Sequence, residues 1–377
     1  MHLYVHIPFC HRICPYCAFY KHTPGATDMR RFIEALLIEA QSRNTLLKTQ
    51  QGTKEERTLF FGGGTPSMLS TTHLTRLVEG LDTLINVASL DEFSFESNPA
   101  TFTPKKVNHW KSLGITRVSL GIQSWEPHIL QILGREHTPQ QAENDIAILR
   151  QAGIPEINID LMFSIPGQSL TDWEQTLRHT LSLHPDHISA YNLTYEEDTA
   201  FFKQLQQGGR VPNPDDDVNY FTLAHEMITQ QGFRHYETSN YAQQGKLSRH
   251  NMGYWLGHDY IGIGPGAVST LNNQRIQNTP DTEAYIESTL KNGLPASTIE
   301  HLSPDNLHLE RVALLLRTDQ GTPLSILPSS GQPIIQGILD EKMARLTTVN
   351  GEKCITLTGR GILMVDEIVT SLFAHEP

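Results

Sequence analysis

The sequence predicts an α/β fold: a partial (β/α)6 barrel with a small C-terminal winged-helix-like domain. Three observations predict it. Short apolar or alternating runs recur six times between residues 3 and 193, separated by stretches with helical spacing. Polar and glycine residues collect where those runs end, the edge at which barrels of this kind gather their chemistry. Beyond about Pro295 the texture changes to helices with one short strand.

Leu3, Tyr4, Val5 and Ile7 form the first strand, and Pro8 ends it. A helix runs from Asp28 to about Lys48, with Phe32, Ala35, Leu36 and Ala40 on one face; the polar residues 44–57 read as a loop. Thr58–Phe61 is the second strand, running into Gly62-Gly63-Gly64-Thr65-Pro66 and then a helix to about Ile85. Glu92–Glu96 alternates as a third strand and ends in Ser97-Asn98-Pro99. Helix over 105–113 leads to strand Arg117–Ile122, ending at Gln123. Helix over 140–152 leads to strand Ile157–Phe163, which carries Asp160, and helix over 170–183 leads to strand Ile188–Leu193. Such alternation builds a parallel sheet with right-handed crossovers, and six strands fall short of the eight that close a barrel. Pro212–Asp217 reads as a turn and acidic helix start, Asp217–Gln230 as helix and Arg234–Tyr241 as a strand. Helices near 303–317 and 334–346, a strand at Cys354–Leu357 and a last helix after Gly359 complete the chain. The expected units are a barrel over 1–240, a connecting segment over 241–294 and a C-terminal domain over 295–377.

Composition narrows the function classes. A formal charge of −12 argues against a nucleic-acid partner, which calls for a basic surface. The sequence has no apolar stretch of membrane-spanning length and no charged-then-apolar leader, so the expected location is the cytoplasm. Four cysteines, three of them in one loop, are not a disulfide framework, and Cys354 reads as a packing residue.

The loop Cys10-His11-Arg12-Ile13-Cys14-Pro15-Tyr16-Cys17 is the densest chemical signal. Three thiolates so spaced suit a [4Fe–4S] cluster whose fourth iron stays open for a small molecule, since position 19 is Phe rather than a fourth Cys. Two other chemistries fit the loop: a Cys14/Cys17 redox pair, and a zinc site completed by His6 or His11. The Gly62–Gly64 triplet lets a ligand approach the backbone closely. Glu96, Gln123, Arg135 and Asp160 share the same edge; a carboxylate there suits hydroxyls or an amine, and a guanidinium suits a carboxylate. His250 with Tyr254 and Trp255 reads, on residues alone, as a packed aromatic corner; as a histidine among aromatics it also suits haem.

Taken in order, Tyr4-Val5-His6-Ile7-Pro8-Phe9-Cys10, Cys14-Pro15-Tyr16-Cys17, Phe61-Gly62-Gly63-Gly64-Thr65-Pro66, Glu96-Ser97-Asn98-Pro99, Gly121-Ile122-Gln123-Ser124, Leu133-Gly134-Arg135-Glu136-His137 and Asp160-Leu161-Met162 resemble the radical S-adenosylmethionine enzymes. The likeness is to the branch holding anaerobic coproporphyrinogen III dehydrogenase and the HemW-type haem chaperones, and it covers essentially the whole chain. The resemblance implies that Cys10, Cys14 and Cys17 hold the cluster. It assigns S-adenosylmethionine contacts to Tyr4, Tyr16, Gly63, Gly64, Thr65, Glu96, Gln123, Arg135 and Asp160. His250-Asn251-Met252-Gly253-Tyr254-Trp255 matches the HNxxYW pattern of the chaperone branch, which implies His250 as a haem contact. The start of the chain nine residues before Cys10, and Phe19 where the dehydrogenase has Cys, point to the same branch. Its implied partners are haem, acceptor haemoproteins such as respiratory-chain components, and an electron donor; the alternative is oxygen-independent coproporphyrinogen oxidation. Ala18, Ser164 and Glu197-Asp198 depart from the usual Asp, Gly and Pro-Gly of relatives.

Overall fold

The computed structural model describes residues 1–51, 56–208, 214–349 and 351–374. Six parallel strands lie side by side in chain order: β1 (His2–Ile7), β2 (Thr58–Gly63), β3 (Glu92–Ser97), β4 (Arg117–Gln123), β5 (Glu156–Phe163) and β6 (His187–Asn192). Each alternates because its two faces meet different surroundings. Leu3, Val5 and Ile7 are fully buried towards the helices, while Tyr4 and His6 turn the other way, into the barrel. The outer layer is pinned by helices Met29–Ser42, Thr71–Ile85, Pro104–Ser112, Pro139–Ala152 and Leu170–Ser182. Each starts on a side chain, from Asp28, Ser70, Thr103, Thr138 or Ser169, that accepts a hydrogen bond from an orphan amide. Thr138 with Gln141 and Ser169 with Asp172 form reciprocal capping boxes.

The sheet continues beyond the expected strands. β7 (Arg234–Glu237) and β8 (Asn240–Ala242) form a hairpin on β6, so the single strand expected over Arg234–Tyr241 is broken by a turn and an irregular register. On the opposite side β9 (Tyr260–Ile263) pairs parallel with β1, followed by β10 (Val268–Leu271), β11 (Gln274–Asn278) and β12 (Ser297–His301) in antiparallel order. The segment expected to link two domains thus contributes β9, β10 and β11 to the main sheet. Gly262 shows why β10 can fold back: a Cβ there would lie 2.2 Å from the Val268 carbonyl oxygen.

The C-terminal unit has its own core, around Val312, Leu316, Ile338, Ile355 and Leu372. Its sheet joins β13 (Thr322–Pro323), β15 (Glu352–Leu357) and β14 (Ala344–Val349). The helix expected over 334–346 stops at Asp340, because Lys342 takes a left-handed backbone (φ 58°) and Met343 N–H returns to the Ile338 carbonyl. The loop expected over 44–57 opens instead with a helix, Asn44–Gln51, which the fully buried Leu47 anchors. The helix start expected over Pro212–Asp217 is described from Pro214 onward; residues 212 and 213 lie outside the described residues. Among the described residues no helix is long and apolar enough to cross a membrane.

Candidate functional site

The barrel interior is polar rather than filled. Ser94 and Glu96, Ser119, Asn158 and Asp160, and Ser189 and Tyr191 sit at alternate positions of neighbouring strands and line one cavity of about 530 Å³. That size suits one nucleoside-sized ligand. At its mouth lies the cysteine loop, and its ends are tied together: Cys10 N–H donates to the His22 carbonyl (3.0 Å) and His22 N–H to the Pro8 carbonyl (2.9 Å). The glycine loop is strapped to the same segment, Gly64 N–H to the Ile7 carbonyl and Thr65 N–H to the Phe9 carbonyl, both 2.8 Å. A Cβ on Gly64 would meet the backbone of residues 7–9 at 2.8–2.9 Å, and Gly63 adopts φ +109°. Glycine is therefore required at both positions for a steric reason.

Cys10, Cys14 and Cys17 are free thiols, all lining the cavity. The Thr65 hydroxyl donates to Cys10 Sγ (3.6 Å) and Arg135 Nη1 to Cys14 Sγ (3.8 Å). Cationic and hydroxyl donors beside sulfur favour the thiolate, the form that ligates metal. Burial works the other way and pushes the Cys10 and Cys17 thiols up. The donor set suits an iron–sulfur cube better than a single ion. A tetrahedral zinc draws its sulfurs to within roughly 4 Å of one another, and among the described residues the only trio of ligand atoms gathered within 4.8 Å is Glu126, His128 and Asp172. His6, the suggested zinc partner, has its nitrogens engaged by Tyr4 Oη (3.0 Å) and the Tyr20 carbonyl (2.8 Å). Three cysteines spread along one loop match a cluster bound by its corners.

Glu96 accepts from Gly63 N–H (3.0 Å), so its carboxylate and the glycine loop form one wall. Burial, and then the charge of Asp160, push its pKa up to about 8, so the carboxyl carries a proton at neutral pH. Burial also raises Asp160, while Ser119 (2.8 Å) and Asn158 (2.7 Å) donate to it. Arg135 Nη2 donates to Asn98 Oδ1 (2.7 Å) and to the Gly121 carbonyl, which fixes the guanidinium across the mouth. Gln123 reaches the cavity from a bulged strand end, at φ +73°.

Of the expected residues, Tyr16, Gly63, Gly64, Glu96, Gln123, Arg135 and Asp160 therefore meet the three cysteines around one space. Tyr4 does not line it: its ring packs on Phe60 and its hydroxyl bonds His6. Thr65 is buried behind Cys10. Asn98, Ser94, Ser119, Asn158 and Tyr191 were not singled out by the sequence, although Ser94, Asn98 and Asn158 lie two residues from Glu96 or Asp160 and Ser119 pairs with Glu96 in the sheet, while Tyr191 sits opposite Met162.

This geometry has known relatives. Residues 4–180 match the model of the Radical SAM superfamily. A Bacillus subtilis protein named "Heme chaperone HemW" is 30% identical over 371 residues, covering 97% of each chain. A Synechocystis protein of the same name is 32% identical and covers 98% of this chain and 96% of its own. The chain belongs to this family of radical S-adenosylmethionine proteins. A [4Fe–4S] cluster and S-adenosylmethionine are the cofactors that the superfamily implies. The crystal structure of Escherichia coli coproporphyrinogen III oxidase HemN, described as a radical SAM enzyme, matches 98% of this chain with a TM-score of 0.81 at 21% identity, which establishes the shared fold.

The HNxxYW stretch occupies an unexpected place. Helix Arg249–Trp255 plugs the barrel floor, at the N-terminal ends of the strands and opposite the cysteines. Its first amides donate to the buried Glu92 carboxylate: Arg249 N–H at 2.8 Å and His250 N–H at 3.3 Å. His250 is 0% exposed. Its Nδ1 bonds Thr58 Oγ1 (2.7 Å), its Nε2 bonds Tyr254 Oη (2.8 Å), and its ring stacks on Phe60 at 5.0 Å. Burial holds the imidazole neutral. In this conformation both ring nitrogens of His250, the expected haem contact, are engaged by hydrogen bonds to Thr58 and Tyr254. What the motif gives the cavity is its floor, through Ser248 and Asn251.

Proposed function

We propose that this chain is a radical-SAM haem chaperone, which binds haem and S-adenosylmethionine and delivers haem to acceptor haemoproteins, respiratory-chain components among them, in the cytoplasm. The observation that carries the reading is the end-to-end match to proteins of that name, together with a pocket that gathers the three cysteines and most of the expected cofactor contacts. Cys10, Cys14 and Cys17 would hold the cluster; when bound, it supplies one-electron reduction of the sulfonium. The Gly63–Gly64 backbone would take the methionyl part, and Arg135 its carboxylate. Glu96 and Asp160 would receive the amine and ribose hydroxyls, with Gln123 as a neutral donor–acceptor at the rim. A cationic ligand beside Glu96 would favour its ionised form, so binding would release the proton that burial keeps there. The cavity, about 530 Å³, suits one such ligand. The fold neighbour keeps a second reading in play, oxygen-independent coproporphyrinogen oxidation. Incubation of the cluster-loaded protein with coproporphyrinogen under anaerobic, reducing conditions separates the two. No consumption, with saturable haem binding, supports the chaperone; multiple turnovers refute it as the main role.

A further inference from the structure

A haem carrier needs three things from its surface: a ligand for iron, apolar contacts for the macrocycle, and cations for two propionates. His250 supplies none of them in this conformation. We propose that haem docks in the groove on the outer side of the cysteine loop, with His11 as its iron ligand, an assignment that rests on the haem-chaperone reading above. The groove, about 490 Å³, is lined by Arg12, Ile13, Lys21, Ile132, Asp198 and Lys203 among others. Ile13 is 50% exposed and Ile132 36%, an unusual pairing of large apolar side chains left to water. Arg12, Lys21 and Lys203 line it with Asp198, and Glu136 pairs with Arg12 beside it, so cations outnumber carboxylates on a chain whose formal charge is −12. That local reversal of sign suits a dianionic, apolar ligand.

His11 is not itself part of the groove's lining but directly precedes Arg12, which is, and shares its Glu136 partner. Its side chain is 78% exposed, and its Nδ1 lies 3.2 Å from Glu136 Oε2. A histidine held by a carboxylate through one nitrogen presents the other in the orientation and tautomer that a metal takes. Nε2 has no partner among the described residues. Glu136 also holds Arg12, Nη1 to Oε1 at 3.4 Å, so one carboxylate orients both the ligand and a propionate partner. Because His11, Arg12 and Ile13 lie between Cys10 and Cys14, ligation of those cysteines also fixes the groove's near wall.

The test is an anaerobic haem titration of the cluster-reconstituted full chain, read at the Soret band, with iron and sulfide content measured in every variant. His11→Ala is expected to weaken binding at least tenfold and to remove the spectrum of histidine ligation, with the cluster intact. His128→Ala removes a histidine that is also exposed and faces a carboxylate, but stands off the groove, and is expected to titrate as wild type. Lys203→Glu is expected to weaken haem but not haem dimethyl ester, which lacks the propionate charges. A His11→Ala protein that titrates as wild type overturns the assignment, as does loss of haem only in step with loss of cluster iron. Absence of saturable binding in the wild type refutes the haem-chaperone reading itself, and the groove with it.

Discussion

Replacing His250 with alanine tests whether the HNxxYW stretch is a structural plug. The imidazole is fully buried, bonded at both nitrogens and stacked on Phe60. Truncation to Ala removes a ring-sized volume, and large-to-small changes at such sites cost about 2–5 kcal/mol. It also strands the half-buried Tyr254 hydroxyl, at roughly 1 kcal/mol, while the Thr58 hydroxyl keeps its bond to His2 Nδ1 (2.9 Å). Partial collapse and a single admitted water offset some of this, which leaves an expected loss of about 3–5 kcal/mol. The assay is anaerobic urea unfolding of the full chain, followed by tryptophan fluorescence and far-UV circular dichroism. The account also expects that, below its unfolding transition, the variant binds haem with nearly the wild-type affinity. A His250→Ala protein within about 0.5 kcal/mol of wild type that loses its Soret band would refute the argument, because a surface ligand and not a plug would behave so.

Cys10→Ser, Cys14→Ser or Cys17→Ser is expected to lower reconstituted iron to a small fraction of wild type, read by iron and sulfide assay and the visible spectrum; full iron in any one of them would remove that residue from the ligand set. Gly64→Ala forces a methyl against the backbone of residues 7–9 and is expected to reduce S-adenosylmethionine affinity at least tenfold by equilibrium dialysis, with the cluster retained. Because Glu96 titrates near 8, binding of the cationic ligand at pH 7 is expected to release close to one proton, measured by calorimetry in buffers of different ionisation enthalpy. Affinity should rise with pH and level off above 8, and Glu96→Gln should abolish both effects. The same raised pKa means that Glu96 opposes folding as pH rises from about 4.5 through 8, so the variant should lose less stability than wild type across that window.

The barrel was legible because its signals are local. Alternation in Glu92–Glu96, a proline after Ile7 and glycines after Phe61 each act over a few residues, and strand-end placement brought most of the pocket together from sequence. The misses are all non-local. Tyr260–Ile263 carries a glycine and falls within the expected connecting segment, yet it is a parallel strand because β1 offers it an edge. Residues 341–346 were expected to continue the helix, and the left-handed turn at Lys342 is what stops it. The surroundings of His250 are likewise set by distant parts of the chain. Nothing in six residues reveals that Thr58, Phe60 and Glu92, more than 150 positions earlier, close around it.

The central claim is tested most directly by following haem on and off the protein. Cluster-loaded chain is titrated anaerobically with haem, then mixed with the apo form of a b-type cytochrome while the Soret bands of donor and acceptor are resolved. The account predicts saturation at one haem per chain, followed by transfer to the acceptor faster than from free haem of equal concentration. Unsaturable binding, or a bound haem that never reaches the acceptor, would contradict it.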